Sequence, residues 1–221
     1  MDVKKRQFSP EEIYSFIRFK ILAGEYPPGS RINVNKLSEN FGISRIPVRD
    51  VINRLCGEGL IYKGPKARFL VAPLTEADIR ETYELRGLFE GYLAKQGAMD
   101  FKEEDIRLLE ENLREQDKEK NSIENYIKLN TEFHEYFFKA TQNKKFINCL
   151  KRLRDYQLRF DRINWMTHGS FFVNLTLGQH REILEAVKRQ NGELAEKMIK
   201  LHMNTGVEFL IKALREKDLL E

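Results

Sequence analysis

Apolar positions in this chain follow two rhythms, and the change falls near residue 73. Before it, short helical stretches alternate with strand-like runs and turn residues. After it, every segment carries the three-and-four spacing of an amphipathic helix. Ser9-Pro10-Glu11-Glu12 predicts the first helix start, with Ser9 as cap, Pro10 in the first turn and Glu12 completing a capping box. Ile13, Phe16, Ile17 and Ile21 continue it to about Gly24. Tyr26-Pro27-Pro28-Gly29 predicts a turn, and Arg31-Ile32 a very short strand. Val34 to Phe41 predicts a second helix capped by Asn33, and Gly42-Ile43 turns into a third. In that third helix Ser44 stands at the N-cap, where its hydroxyl can accept a free N–H. Val48, Val51, Ile52 and Leu55 make its apolar face, and Arg45, Arg49 and Asn53 share the opposite one.

Gly57-Glu58-Gly59 stops the third helix. Leu60-Ile61-Tyr62 and Phe69-Leu70-Val71 then predict two strands around a basic tip, Lys63-Gly64-Pro65-Lys66-Ala67-Arg68. Two short helices across a glycine turn, followed by a hairpin, predict a winged helix-turn-helix. Beyond Pro73, Thr75-Glu76-Ala77-Asp78 predicts another capping box. Helices are expected at about 75–99, 102–119, 122–141, 144–165, 171–190 and 192–217. The predicted fold class is therefore mainly α: an N-terminal winged helix-turn-helix over 1–74, then an all-helical bundle of about six helices over 75–221.

Charge sharpens this division. The net +4 of the 221 residues hides an asymmetry: residues 1–73 hold 13 Lys/Arg and 7 Asp/Glu, and the remainder 25 and 27. A basic N-terminal third on a near-neutral body suits a nucleic-acid reader joined to something else. On the third helix, Arg45 and Arg49 can pair with guanine or phosphate and Asn53 with adenine, with Ser44 at the helix start. Lys63, Lys66 and Arg68 present the wing to phosphates or the minor groove. Cys56 and Cys149 fall in apolar helical patterns and are expected to be buried free thiols. The start, Met1-Asp2-Val3-Lys4-Lys5-Arg6, has no signal-peptide apolar stretch behind it, and no run approaches a membrane span. A cytoplasmic protein without membrane contact is expected.

In the helical part, His134 shares a face with Asn130, Ile123, Ile127 and Phe137. His180 lies with Ile183 and Val187, and His202 with Met198 and Phe209. A single inward histidine is more often a core side chain with a hydrogen-bond partner. Three on three helices can instead share a divalent cation, which spares burying unpaired rings at about 1–3 kcal/mol each. Imidazole suits zinc, nickel, copper or iron. Arg86 and Glu90, four apart, make either a half-exposed ion pair of little value or an arginine reaching for a ligand carboxylate. Tyr126, Tyr136, Phe137, Arg152, Arg159 and Trp165 are candidate cavity residues.

Two resemblances follow. Gly24-Glu25-Tyr26-Pro27-Pro28-Gly29-Ser30-Arg31-Ile32, Leu37-Ser38, Phe41 to Ile52 with its Ser-Arg-x-Pro-Val-Arg core, and Gly57-Glu58-Gly59-Leu60-Ile61 resemble the GntR family of bacterial transcription regulators. This implies a DNA-binding winged helix with Arg45 and Arg49 at contacting positions. Asn35 departs from the arginine some relatives carry. Tyr83 to Glu90, Asn130-Thr131-Glu132-Phe133-His134, His180-x-x-Ile183 and His202 resemble the FCD effector domain of the FadR subfamily. That implies a metal, zinc or nickel foremost, on Asn130, His134, His180 and His202, with a small organic acid bound partly to it and to Arg86. Asn130 is neutral where many relatives carry Asp, which implies weaker metal binding. His168 has no counterpart and falls in a predicted loop.

The leading expectation is a homodimeric repressor released from double-stranded operator DNA by a small organic acid. Two other readings stand beside it: a metal-dependent enzyme acting on a small carboxylate, and a DNA-binding module whose helical part only dimerises. The sequence offers no clear general base beside the histidines, which weighs against the enzyme.

Overall fold

The computed structural model describes residues 8–73 and 75–216, without the side chains at 155, 156, 159 and 162. The chain divides into two compact units, one ending at position 74 and the other beginning at Thr75.

The first unit is built on α1 (Pro10–Leu22), β1 (Arg31–Ile32), α2 (Val34–Phe41), α3 (Arg45–Gly57), β2 (Ile61–Lys63) and β3 (Phe69–Val71). Its first helix starts where the capping box predicts. The Glu12 amide donates to Ser9 Oγ at 3.2 Å, and the Ser9 amide donates to Glu12 Oε2 at 2.8 Å. Asn33 Oδ1 caps α2 by accepting from the amides of Asn35 and Lys36. Gly42 then takes a left-handed conformation, φ 64° and ψ 33°, which lets the chain turn sharply into α3. Ser44 holds the N-cap position of α3 with extended backbone, but its hydroxyl makes no capping bond. The expected bond is absent, and that hydroxyl is exposed.

Burial of Ile13, Ile17 and Ile21 on α1 and of Val48, Val51, Ile52 and Leu55 on α3 joins these helices, each side chain worth about 1.5–3 kcal/mol. The three strands are antiparallel in the order β1-β3-β2. Between β2 and β3 the wing tip closes through a tight turn at Pro65–Ala67, with Lys66 and Ala67 both at positive φ.

The second unit is helical: α4 (Glu76–Asp100), α5 (Glu103–Glu119), α6 (Ile123–Tyr136), α7 (Lys144–Lys188) and α8 (Gly192–Glu216). Thr75 caps α4 by accepting from the Asp78 amide at 3.0 Å, while its hydroxyl donates to Asp78 Oδ2 at 2.6 Å. After Tyr136 the chain tightens into a 3-10 turn, Phe137–Ala140. Helices α4 and α8 pack closely. A Cβ on Gly91 would meet Glu196 Cγ at 3.2 Å, and one on Gly206 would meet the Tyr83 ring at 3.2 Å. None of the described helices is long and apolar enough to cross a membrane.

Two expectations are corrected. The break expected at Thr167-His168-Gly169 is a one-residue kink, because only Gly169 leaves helical geometry, at φ 53° and ψ −137°. His168 is therefore helical. Its Nε2 lies 3.0 Å from the Phe209 carbonyl oxygen on α8, which holds the chain just before the kink. The thiols are not both buried: Cys56 is half-buried and Cys149 is exposed. Cys149 precedes the buried Leu150 by one residue, about 100° around the helix, so it falls outside the apolar stripe.

Candidate functional site

The first candidate surface is the outer face of α3. Arg45, Arg49 and Asn53 are exposed there, as is Ser44. Among the described residues neither Arg45 nor Arg49 takes part in an ion pair. Arg54 on the same helix is engaged: it donates to Glu11 Oε2 at 2.8 Å and lies 3.8 Å over the Tyr14 ring. The tip residues Lys63, Lys66 and Arg68 are exposed. Ile46 is 72% exposed beside Arg45, and sequence reasoning passed over it. An apolar side chain on a DNA-facing helix suits a thymine methyl.

The second candidate lies inside the helical unit. Successive buried positions Tyr126, Asn130, Phe133 and His134 form one face of α6. His180 comes from the part of α7 after the kink and His202 from α8. The three histidines are buried, and their candidate ligand nitrogens all lie within 4.8 Å of one another. Their ring centroids are 5.2, 5.1 and 4.7 Å apart, and Phe133 stacks on His180 at 4.1 Å.

Each imidazole is oriented from behind. His180 Nδ1 lies 3.2 Å from Gln116 Oε1. The Gln116 amide nitrogen donates to Asn112 Oδ1 and the Leu129 carbonyl, so its oxygen must face the ring. His202 Nδ1 lies 3.0 Å from Gln179 Oε1. Gln179 Nε2 donates to Thr205 Oγ1, and that hydroxyl donates to the Leu201 carbonyl. His134 Nδ1 lies 2.7 Å from Glu90 Oε2. The glutamine oxygens behind His180 and His202 place the proton on Nδ1, which leaves each Nε2 with a lone pair. At His134 the Glu90 contact is close but not aligned as a hydrogen bond, and both ring nitrogens are buried without a hydrogen-bond partner, as is Nε2 of His180. The carboxylate charge beside Nδ1 favours the same tautomer. Burial pushes all three imidazoles below their ordinary value, and neighbouring imidazoles add to this at His180 and His202. The cluster is thus neutral and carries donors, which is the chemistry a divalent cation requires.

Arg86 and Glu90 are not the half-exposed pair that their spacing allows. Each is 1% exposed, with Arg86 Nε donating to Glu90 Oε1 at 2.7 Å. Burial alone would raise the Glu90 carboxyl, but Arg86 and His134 outweigh it and hold it well below the usual range. Arg86 Nη2 is buried and unpartnered. Asn130, one turn before His134, is buried with its Oδ1 unpartnered.

The expected cavity residues scatter. Tyr126 is buried, and Trp165 packs against it with Val173 and Leu177. Phe137 is buried against Phe101 and Phe133. Tyr136 turns away to donate to Asp105 Oδ1 at 3.0 Å. Arg152 is exposed, and the Arg159 side chain lies outside the described residues. In place of Arg152, Arg154 is buried and ion-paired to Glu135. With it on one face of α7 run Gln157, Asp161 and Asn164, all buried. Sequence reasoning missed this row.

Comparison with known proteins agrees with both units. Residues 10–71 match the gntR family of bacterial regulatory proteins, and residues 81–205 match the FCD domain. The chain is 32% identical to the HTH-type transcriptional regulator YdhC of Bacillus subtilis over 208 residues, covering 93% of this chain and 92% of that one. It is 24% identical to the HTH-type transcriptional repressor RspR of Escherichia coli, covering 87% and 85%. In fold it is similar to E. coli McbR/YncC, with a TM-score of 0.75, 16% identity and coverage of 92% and 97%. It is also similar to the metal-free FCD domain of TM0439, with a TM-score of 0.53, 23% identity and coverage of 66% and 99%. The chain belongs to the GntR family of bacterial regulatory proteins, as a DNA-binding transcriptional regulator with an FCD domain.

Proposed function

We propose that this regulator is a homodimeric repressor whose helical unit senses a small carboxylate at a divalent cation, zinc or nickel, held by His134, His180 and His202 with Asn130 as a further oxygen ligand. One observation carries the reading: three buried imidazoles from three helices, each with an acceptor behind Nδ1 and a lone pair left on Nε2. Bound there, the cation would supply a positive centre for one carboxylate oxygen. The unpartnered Nη2 of Arg86 supplies a second. A relative solved in a form described as metal-free is in keeping with this.

Arg45, Arg49 and Asn53, with Ser44 at the helix start, are proposed to read the major groove, and Lys63, Lys66 and Arg68 to hold the backbone. The repressor assignment draws on the similarity to a protein named as a repressor. Dimerisation is supported by an exposed apolar stripe on α4, Leu85, Leu88 and Tyr92, with Leu201 on α8. A second copy can cover such a stripe through the same patch, which gives the two-fold arrangement that paired half-sites need. Native mass spectrometry with elemental analysis of the purified protein tests the reading. The expected result is a dimer with one divalent cation per chain, lost in His180→Ala. Equal metal content in wild type and all three His→Ala variants rules the site out.

A further inference from the structure

The outer face of α3 holds one side chain that neither the core nor the charge pattern explains. Val48, Val51, Ile52 and Leu55 bury one side of the helix. At about 100° per residue, Ile46 stands within roughly 10° of the direction opposite them, so it points squarely away from the core. It is 72% exposed, more than any other large apolar side chain among the described residues. The positions one turn on are Arg49 and Asp50, both exposed, so no apolar neighbour there covers it. A β-branched residue is also a poorer helix former than the Lys, Gln or Ala that would serve an ordinary wet face. A lone apolar residue on a surface usually needs no explanation. This one, however, sits in the first turn between Arg45 and Arg49, neither of which takes part in an ion pair among the described residues. Phosphates would repel the Asp50 carboxylate, so the stripe of Ile46 and Asp50 is fitted to base edges rather than to the backbone.

We propose that Ile46 is a specificity-determining residue that reads the 5-methyl group of a thymine, so that the operator carries a thymine at a fixed place beside the contacts of Arg45 and Arg49. This rests on the reading that the outer face of α3 enters the major groove. Thymine alone among the four bases presents a methyl group there, so an apolar contact tells T·A from A·T as well as from both G·C orientations. Ile46 offers hydrocarbon branched at Cβ and held stiffly at χ1 by the helix, so the contact costs little side-chain entropy. A cytosine at the same place would set its amino group against hydrocarbon and leave a donor without an acceptor, which is penalised.

The test uses the full-length protein and a duplex enriched from a randomised library by in vitro selection. Each thymine of that duplex is replaced in turn by uracil, which keeps every hydrogen-bonding group and removes only the methyl. Affinity is read by fluorescence anisotropy at one salt concentration. At one thymine position or more, uracil is expected to weaken binding about fourfold, the worth of one buried methyl. In Ile46→Ala the same replacement is expected to change affinity by less than about 1.5-fold. Ile46→Val keeps branched hydrocarbon at Cβ and should retain most of the discrimination. Ile46 takes no part in the core, so Ile46→Ala should melt like wild type. Absence of any uracil-sensitive thymine in wild type overturns the proposal. Equal uracil sensitivity in wild type and Ile46→Ala overturns it too, because another side chain then reads the methyl. Weaker binding by Arg45→Ala and Arg49→Ala without any uracil effect overturns the Ile46 contact alone. Wild-type binding by both arginine variants overturns the placement of α3 in the groove and the proposal with it, as does a selection that enriches no sequence.

Discussion

Glu90 Oε2 stands 2.7 Å behind His134 Nδ1, while the other oxygen of the same carboxylate accepts from Arg86. One buried anion therefore orients a candidate metal ligand and holds the candidate ligand anchor. Replacing it by Glu90→Gln allows the amide nitrogen to face Nδ1 and turn the imidazole to the wrong tautomer. Zinc affinity, measured by chelator competition, is expected to fall about 10- to 100-fold. Unchanged affinity would show that His134 is oriented by something else.

Acid should destabilise the metal-free protein in a particular window. His134, His180 and His202 have folded-state values below the ordinary imidazole value because of burial. Below about pH 6.5 the unfolded chain thus binds more protons than the folded one. Their stabilising neutrality is present above that pH and lost as the pH falls through it, at about 1.4 kcal/mol per pH unit per imidazole. Asp161 opposes them: burial raises its carboxyl to about 6, so it loses stability as pH rises from the ordinary 3.8 toward that value. The expected outcome of urea denaturation in chelator, from about pH 8 to about pH 5, is a fall in stability toward acid. Asp161→Asn should be more stable than wild type near neutrality and fall more steeply. A flat wild-type profile contradicts neutral buried imidazoles.

On the DNA side, Arg45→Ala and Arg49→Ala should each weaken operator binding. Loss of a bidentate base contact costs about 1–3 kcal/mol, whereas loss of a phosphate contact lowers the salt slope by about one. Arg54→Ala is the internal control. Its guanidinium is occupied by Glu11 and Tyr14, so it should lower the melting temperature and leave operator discrimination intact. Operator binding by the Arg45 and Arg49 variants equal to wild type at matched salt would refute the docking.

Effector and operator should report on each other. If a carboxylate shifts DNA affinity by the usual 1–3 kcal/mol, about 5- to 150-fold, saturating operator must shift its own affinity by the same factor. Titration with and without operator measures this. Arg86→Lys keeps a charge for Glu90 but loses the planar fork, and is expected to weaken the carboxylate at least about tenfold. Full affinity in that variant would leave Arg86 a structural partner of Glu90 only.

Local chemistry was legible in the sequence where a residue answers to its own neighbours. Ser9 with Glu12, Asn33 before α2, and the apolar faces of α1 and α3 follow from spacing alone. The inward histidines follow too, since each shares a stripe with aliphatic residues. What spacing hides is polarity turned inward. Arg154, Gln157, Asp161 and Asn164 recur at three and four, and on an isolated helix that reads as the wet face. Only the packing of the other helices around α7 shows them to be buried. Glu90 behind His134 was equally hidden, because the two meet across helices 44 residues apart in the chain.

Gly169 divides α7 into two arms, with Asp161 and Asn164 on one and His180 on the other. Each arm is tied to α8 separately, the first through Asn164 to the Gly206 carbonyl and His168 to the Phe209 carbonyl, the second through Gln179 to Thr205. Glycine offers little steric resistance to bending between the arms. Helix α8 therefore acts as a splint across the joint, and any change in the angle of the second arm must be taken up by α8 as well.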